Sequence, residues 1–403
     1  MKRIKKVGAP HDCAVKNYNQ IYLLLSLKVF VMKAIVWLCC SVLCALSLTL
    51  SSCNKCASPV DTTPTPGNGE SQIFFNYSLN INSVQIFTAL SDGSNQRQWN
   101  TTSGFITSNI WSAVTAAPRA GKIAFTAGEF KENAQLILAN TDGSNAKVLV
   151  PSAPSPNGQI FYPVLAPDAS KVAFMRATDK KNIYLINTDG TGETLISSNS
   201  FAESFPTFSP DGKHLAYYTG NKTIAVGTIS YENGKFSVTW NEIADSAAIF
   251  ADGDSRLDWS PDSKEIVYVR GIKGVSTELW VYTMESNSRR KIMSGICALP
   301  VWSPDGTQIA YSKVTSSAGS QAAVDIMTVR PDGSGEKNIT NTPTSIEQYA
   351  QWSPDGKKLV FNSYPLNYGA GGYEEAGNLM VIDLASLTQK LIATNVIFGF
   401  FTR

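Results

Sequence analysis

Hydrophobic positions recur along this chain in one form. Seven times, at intervals of 43 to 51 residues, an aliphatic, an apolar and an aromatic residue stand together. The copies are Ile73-Phe74-Phe75, Ile123-Ala124-Phe125, Val172-Ala173-Phe174, Leu215-Ala216-Tyr217, Ile266-Val267-Tyr268, Ile309-Ala310-Tyr311 and Leu359-Val360-Phe361. Each reads as a short strand. A second apolar strand follows each, as in Ile183-Tyr184-Leu185-Ile186 and Leu279-Trp280-Val281-Tyr282. A repeat of this length, divided among four short strands, predicts a β-propeller.

The polar positions between the runs are turn chemistry. Ala166-Pro167-Asp168, Ser209-Pro210-Asp211-Gly212, Ser260-Pro261-Asp262, Ser303-Pro304-Asp305-Gly306 and Ser353-Pro354-Asp355-Gly356 join strands a and b of successive repeats, and Ala117-Pro118-Arg119 is a degenerate sixth copy. Proline presets φ, Asp bonds back to the backbone, and Gly accepts positive φ. Asp92-Gly93, Asp142-Gly143, Asp189-Gly190 and Asp332-Gly333 supply the turns between strands c and d. The first run has no strand a before it, and the chain ends in Val396-Ile397-Phe398-Gly399-Phe400-Phe401, a strand a with no b. The two pieces complement each other, removing exposed edges. The expected fold is therefore all-β, a single propeller over residues 71–403. It has seven four-stranded blades (six or eight are the alternatives), closed by the C-terminal strand in the first blade.

The N-terminus has a different pattern. Ala34 to Leu50 is an apolar run behind Lys33, with Leu50-Ser51-Ser52-Cys53 directly after it. The run is too short for an ordinary span, and small residues follow too closely. Leu-Ser-Ser-Cys resembles the lipobox of bacterial lipoproteins, which implies removal of residues 1–52 and lipidation of Cys53, with Met32 as a natural start. Residues 53–70 then form a Pro/Thr/Gly tether. Fatty chains stabilise membrane attachment by about 0.8 kcal/mol per buried CH₂. Asn54 follows the Cys, which favours the outer membrane over the inner. Without residues 1–52 the chain holds 27 basic and 31 acidic residues, a balance that argues against nucleic acid as partner. Beyond Cys53 only Cys56 and Cys297 remain, too few for a disulfide framework.

The Trp/Phe-Ser-Pro-Asp-Gly turns followed by apolar strands and Asp-Gly turns resemble TolB-type propeller repeats, a WD-repeat-like pattern. Similar repeats occur in prolyl-oligopeptidase-like enzymes. The resemblance spans roughly residues 71–403 and is specific for the repeat more than for a function. TolB-type propellers usually have six blades behind a separate small domain; here the pattern has seven, behind a tether. The resemblance implies a lipid-anchored module of the bacterial envelope, periplasmic or at the outer membrane, that binds a protein, peptide or glycan. The alternative is a carbohydrate-active hydrolase or lyase using carboxylates at the channel mouth, since paired acids need only two placed carboxyl groups.

Candidate chemistry is sparse. Beyond residue 52 the single histidine is His214, at the strand position shared by Glu265, Gln308 and Lys358, where it reads as surface decoration. No Gly-x-Ser-x-Gly elbow or phosphate-binding glycine loop occurs. No catalytic residue and no cofactor is expected. Asp252, Asp254 and Asp258 stand close to Gly253 and resemble a calcium loop, but the closing Glu is missing. A solvated loop, or pairing with Arg256, is the competing reading. Recognition should lie on the face of variable connections. The longest, residues 362–378, interleaves Tyr364, Tyr368 and Tyr373 with glycines and Glu374. Glu203, Arg256, Glu347 and Tyr349 enter strands a on the same face and should ring the channel mouth.

Overall fold

The computed structural model describes residues 71–401, except 81–82, 102–114, 118–120, 129–133, 152–158, 178–180, 198–203, 220–222, 244–255, 273–275, 319–320 and 367–375. Cys53, the signal segment and the tether fall outside the described residues, as do Glu203, Asp252, Asp254, Tyr368, Tyr373 and Glu374. Among the described residues there are strands and turns and no helix.

The strands group by pairing into blades. The first holds β1 (Gln72–Asn80), β2 (Ser83–Leu90) and β3 (Arg97–Gln98). The second holds β4 (Thr115–Ala117), β5 (Lys122–Ala127), β6 (Gln135–Asn140) and β7 (Lys147–Val150). The third is β8 (Gln159–Leu165), β9 (Lys171–Ala177), β10 (Lys181–Asn187) and β11 (Thr194–Leu195). The fourth is β12 (Ser204–Phe208), β13 (His214–Tyr218), β14 (Ile224–Glu232) and β15 (Lys235–Ile243). The fifth is β16 (Asp258–Trp259), β17 (Glu265–Ile272), β18 (Ser276–Thr283) and β19 (Ser288–Gly295). The sixth is β20 (Cys297–Trp302), β21 (Ile309–Ala318), β22 (Gln321–Val329) and β23 (Lys337–Asn338). The seventh is β24 (Ser345–Trp352), β25 (Lys358–Pro365), β26 (Gly377–Asp383) and the first half of β27 (Gln389–Phe401).

The second half of β27 leaves the seventh blade and pairs with β1, Ile73 opposite Phe401 and Phe75 opposite Gly399. One strand thus serves two blades, bending where Asn395 takes a left-handed φ of 57°. The first blade thereby gains its fourth strand from the end of the chain.

The apolar core is divided among the spaces between blades. Every residue of the seven repeated triplets is at most 1% exposed, because each strand b lies between two neighbouring blades. Leu215 and Tyr217 pack against Ala173 and Met175 of the preceding blade, while Ala216 and Tyr218 pack against Trp259 and Ile266 of the following one. The same arrangement joins the seventh blade to the first, where Val360, Leu379 and Val381 meet Ile73 and Phe75. Full burial of one such side chain is worth about 1.5–3 kcal/mol. Indoles add a polar tie: Trp259 Nε1 donates to the Thr207 carbonyl at 3.3 Å, and Trp352 Nε1 to the Val301 carbonyl at 3.2 Å.

The Ser-Pro-Asp turns close on themselves. At Ser209, Ser260, Ser303 and Ser353 the hydroxyl donates to the Asp two residues on, at 2.5–2.6 Å. The same oxygen accepts the backbone N–H of His214, Glu265, Gln308 or Lys358 at 2.9–3.0 Å. The serine hydroxyls hold the carboxyls of Asp262 and Asp305 below their ordinary value. Each Asp is committed within its own turn.

Candidate binding face at the propeller axis

Strands a carry the feature that sequence reading missed. The ladder slips in β8 between Phe161 and Val164, in β12 between Ser204 and Thr207, in β20 between Ala298 and Val301, and in β24 between Gln348 and Gln351. At each slip one bulky residue adopts a left-handed backbone: Tyr162 (φ 49°), Phe205 (57°), Leu299 (55°) and Tyr349 (61°). Such a conformation costs a non-glycine residue on the order of 1–3 kcal/mol, and persists only where surrounding structure imposes it. Bulges re-aim side chains. In three of the four copies proline follows, as Pro163, Pro206 and Pro300, and proline suits a position where the ladder is interrupted. Those aromatic-Pro and Leu-Pro pairs, just ahead of the Ser/Ala-Pro-Asp turns, are the signal that could have revealed the bulges.

The bulge side chains gather at the axis. Tyr162 and Phe205, from the third and fourth blades, have ring centroids 4.5 Å apart. Arg256 precedes Trp259 by the interval that separates Tyr349 from Trp352, so it occupies the matching place in the fifth blade. Its guanidinium lies over the Tyr349 ring at 5.1 Å. These two residues belong to the fifth and seventh blades, with the sixth between them. The contact therefore passes across the inner ends of the blades. Leu299, the sixth-blade counterpart, is buried. The Arg256 carbonyl accepts the Tyr218 hydroxyl at 3.1 Å, fixing the backbone from which the side chain projects. The half-buried guanidinium has no ion pair or hydrogen bond among the described residues.

Other expected site residues stand elsewhere. Glu347 was expected at the mouth beside Tyr349; it is 1% exposed and turned between the sixth and seventh blades. In a regular strand Glu347 and Tyr349 would share a side, and the bulge breaks that alternation. Glu347 Oε1 accepts the Thr342 hydroxyl at 2.5 Å, while Oε2 is buried without a partner. Burial, with repulsion from Asp325, pushes this carboxyl up to about 7. Burial works against the charge of Asp325 as well. There, hydrogen bonds from Thr315 (2.6 Å), Asn338 (2.8 Å) and the Thr342 backbone (2.8 Å) prevail, and its pKa is lowered.

Tyr364 belongs to β25 and not to a free loop: it pairs with Ile346, and its hydroxyl reaches the Ile397 carbonyl at 3.4 Å. Asp258 lies in β16, where its carboxylate accepts the Trp302 backbone N–H at 2.8 Å. Among the described residues no three His, Cys, Asp or Glu side chains are grouped as a metal site would require. His214 is half-buried, with its ring stacked on Trp259 at 6.0 Å, where surface decoration was expected. Cys297 is fully buried, and its thiol is pushed up to about 12 by that burial.

Blades, bulged inner strands and paired ends define a β-propeller. Residues 255–365 match the TolB beta propeller domain. Among curated proteins the chain is 34% identical over 84 residues to the Tol-Pal system protein TolB of Alcanivorax borkumensis, covering 20% of this chain and 18% of that protein. It is 27% identical over 111 residues to Dipeptidyl-peptidase 5 of Porphyromonas endodontalis, covering 26% and 15%. The chain thus spans less than a fifth of the length of either relative. Among solved structures it resembles the β-propeller domain of the Trilobed protease from Pyrococcus furiosus, with a TM-score of 0.51 at 14% identity, over 81% of this chain and 92% of that one. That domain has an open velcro topology, whereas here β27 pairs with β1.

Proposed function

We propose that this TolB-like propeller is an extracytoplasmic binding module, anchored through Cys53 at the outer membrane or its periplasmic side, that engages an envelope protein, peptide or glycan at its axial face. The observation that carries the reading is the pairing of side chains from the bulge positions of different blades, Tyr162 with Phe205 and Arg256 with Tyr349. Backbone strain of this kind persists where surrounding structure imposes it, and it clusters at binding and active sites. The Ser-Pro-Asp turns, by contrast, satisfy their own polar groups. The test is capture of partners from envelope extract by the full chain and by the double variant Tyr162→Ala, Phe205→Ala. Partners lost from the variant, with its unfolding temperature retained, support the axial face; an unchanged set of partners removes it.

The hydrolase or lyase alternative has one observation in its favour. Asp325 and Glu347 both lie within hydrogen-bond distance of the Thr342 hydroxyl, at 3.3 and 2.5 Å, so their carboxyls are within two hydrogen-bond lengths of each other. Both are nearly inaccessible, however, and Asp325 is saturated with donors, which fits a structural pair better than an acid and a nucleophile. Cleavage of any envelope glycan that Glu347→Gln abolishes would reverse this preference.

A further inference from the structure

We infer that the axial face takes the carboxylate of an acidic peptide, with Arg256 as the anchoring cation. The inference rests on the axial-face reading and specifies the chemistry of its ligand. Glu203 and Glu347 are the carboxylates expected at the mouth; Glu203 lies outside the described residues, and Glu347 is withdrawn from the mouth. Glu347, two residues before Tyr349, points between blades, and the carboxylate of Asp258, two residues after Arg256, is held by the Trp302 backbone. Among the described residues, the charge at the bulge positions named above is the guanidinium of Arg256.

Its setting suits an anion. Tyr349 supports the guanidinium against its ring, which limits the side-chain freedom that binding would otherwise remove. The N–H edges point away from a ring contact of this kind, in the planar fork that matches a carboxylate. Partial burial excludes some of the water and salt that would screen such a pair. At the matching bulge positions of the third and fourth blades, the Tyr162–Phe205 pair supplies an apolar contact. Those rings are inclined by 42° to each other. Rings inclined in this way do not make the single flat platform on which a sugar ring stacks, and favour contact with an apolar side chain. A carboxylate next to an aromatic or aliphatic side chain, on one extended peptide, matches both features.

The test uses the purified full chain and two fluorescent peptides, acetyl-Gly-Phe-Glu-Phe-Gly amide and its Gln counterpart, with trigalacturonate as a third probe. The expected result is at least tenfold tighter binding of the Glu peptide, weakening as salt is raised. Arg256→Gln should bring the Glu peptide to the level of the Gln peptide, and Arg256→Lys should recover only part of the difference because lysine lacks the fork. The unfolding temperature of each variant is measured alongside. Equal binding of the two peptides, binding by neither, or an Arg256→Gln variant that folds and still discriminates would overturn the inference. Arg256-dependent binding of trigalacturonate without the peptide would overturn the peptide assignment. If these results fail while the Tyr162→Ala, Phe205→Ala variant still loses its envelope partners, the axial face stands and only its carboxylate ligand falls.

Discussion

The two ends of strand a behave as opposites. At the outgoing end, in β12, β16, β20 and β24, the residues themselves repeat: an aromatic, then Ser-Pro-Asp, with the same two hydrogen bonds of the serine hydroxyl each time. At the incoming end the backbone repeats and the residues do not. Tyr, Phe, Leu and Tyr occupy one left-handed bulge conformation, and Arg256 stands at the matching place in the fifth blade. The first end is scaffold, selected to close on itself. The second is a rigid display, in which one geometry presents different chemistry from each blade. A repeat of sequence and a repeat of conformation therefore carry different information.

The sharpest way to break this comparison is to remove the scaffold's closure. Deleting residues 395–403 takes the partner strand from β1 and uncovers Ile73, Phe74 and Phe75, all of which are fully buried. Aggregation or loss of cooperative unfolding is expected on thermal denaturation. An unchanged transition would show that pairing of β27 with β1 does not hold the blades together.

A smaller effect is expected from the buried carboxyl that the bulge turned away from the axis. The ordinary pKa of Glu347 is 4.5 and its folded value is about 7. A raised carboxyl pKa means that the unfolded chain ionises first, so Glu347 makes the protein less stable as pH rises from about 4.5 to 7. Glu347→Gln should then be nearly neutral at pH 4.5 and stabilising by roughly 3 kcal/mol above pH 7, from the linkage between pKa and stability. Denaturant titrations at both pH values check this; an equal difference at each would contradict it. Asp325 has the opposite shift: its contribution is fully present above its unfolded pKa and is lost only as pH falls toward its lowered folded value, below this window.

Within the scaffold end, Ser353→Ala removes a donor to Asp355 and an acceptor for the Lys358 N–H. A loss of about 1–2 kcal/mol is expected, with no change in ligand capture. At the display end the expectation reverses. Arg256→Gln should alter stability by no more than about 0.5–1 kcal/mol, since its side chain makes one cation–π contact at a partly exposed site. It should nonetheless change binding. If Ser353→Ala altered binding, or Arg256→Gln unfolded the protein, the division between scaffold and display would not hold.

Much of the scaffold was legible in the residues. The seven triplets, the Ser-Pro-Asp and Asp-Gly turns and the orphan strand at Val396 to Phe401 identified the blades and their pairing partners, because period, turn chemistry and burial are local properties. The site was less legible. Arg256 and Tyr349 were expected on one face, but their contact across the sixth blade depends on ring geometry that no spacing encodes. Glu347 was misplaced because a single inserted residue reverses the side of a strand, and nothing in Glu347-Gln348-Tyr349 marks the insertion. Tyr364 was assigned to a loop because its tyrosine- and glycine-rich neighbours conceal the length of β25.

By itself the sequence determined the repeat, the turns and which residues would be buried, since a strand between two blades must be apolar on both faces. The tertiary structure decided which side chains meet at the axis and which carboxylates are withdrawn from it. Bulge phase and the closing of blades around one axis are collective, set by how the inner strands pack and not by any one of them.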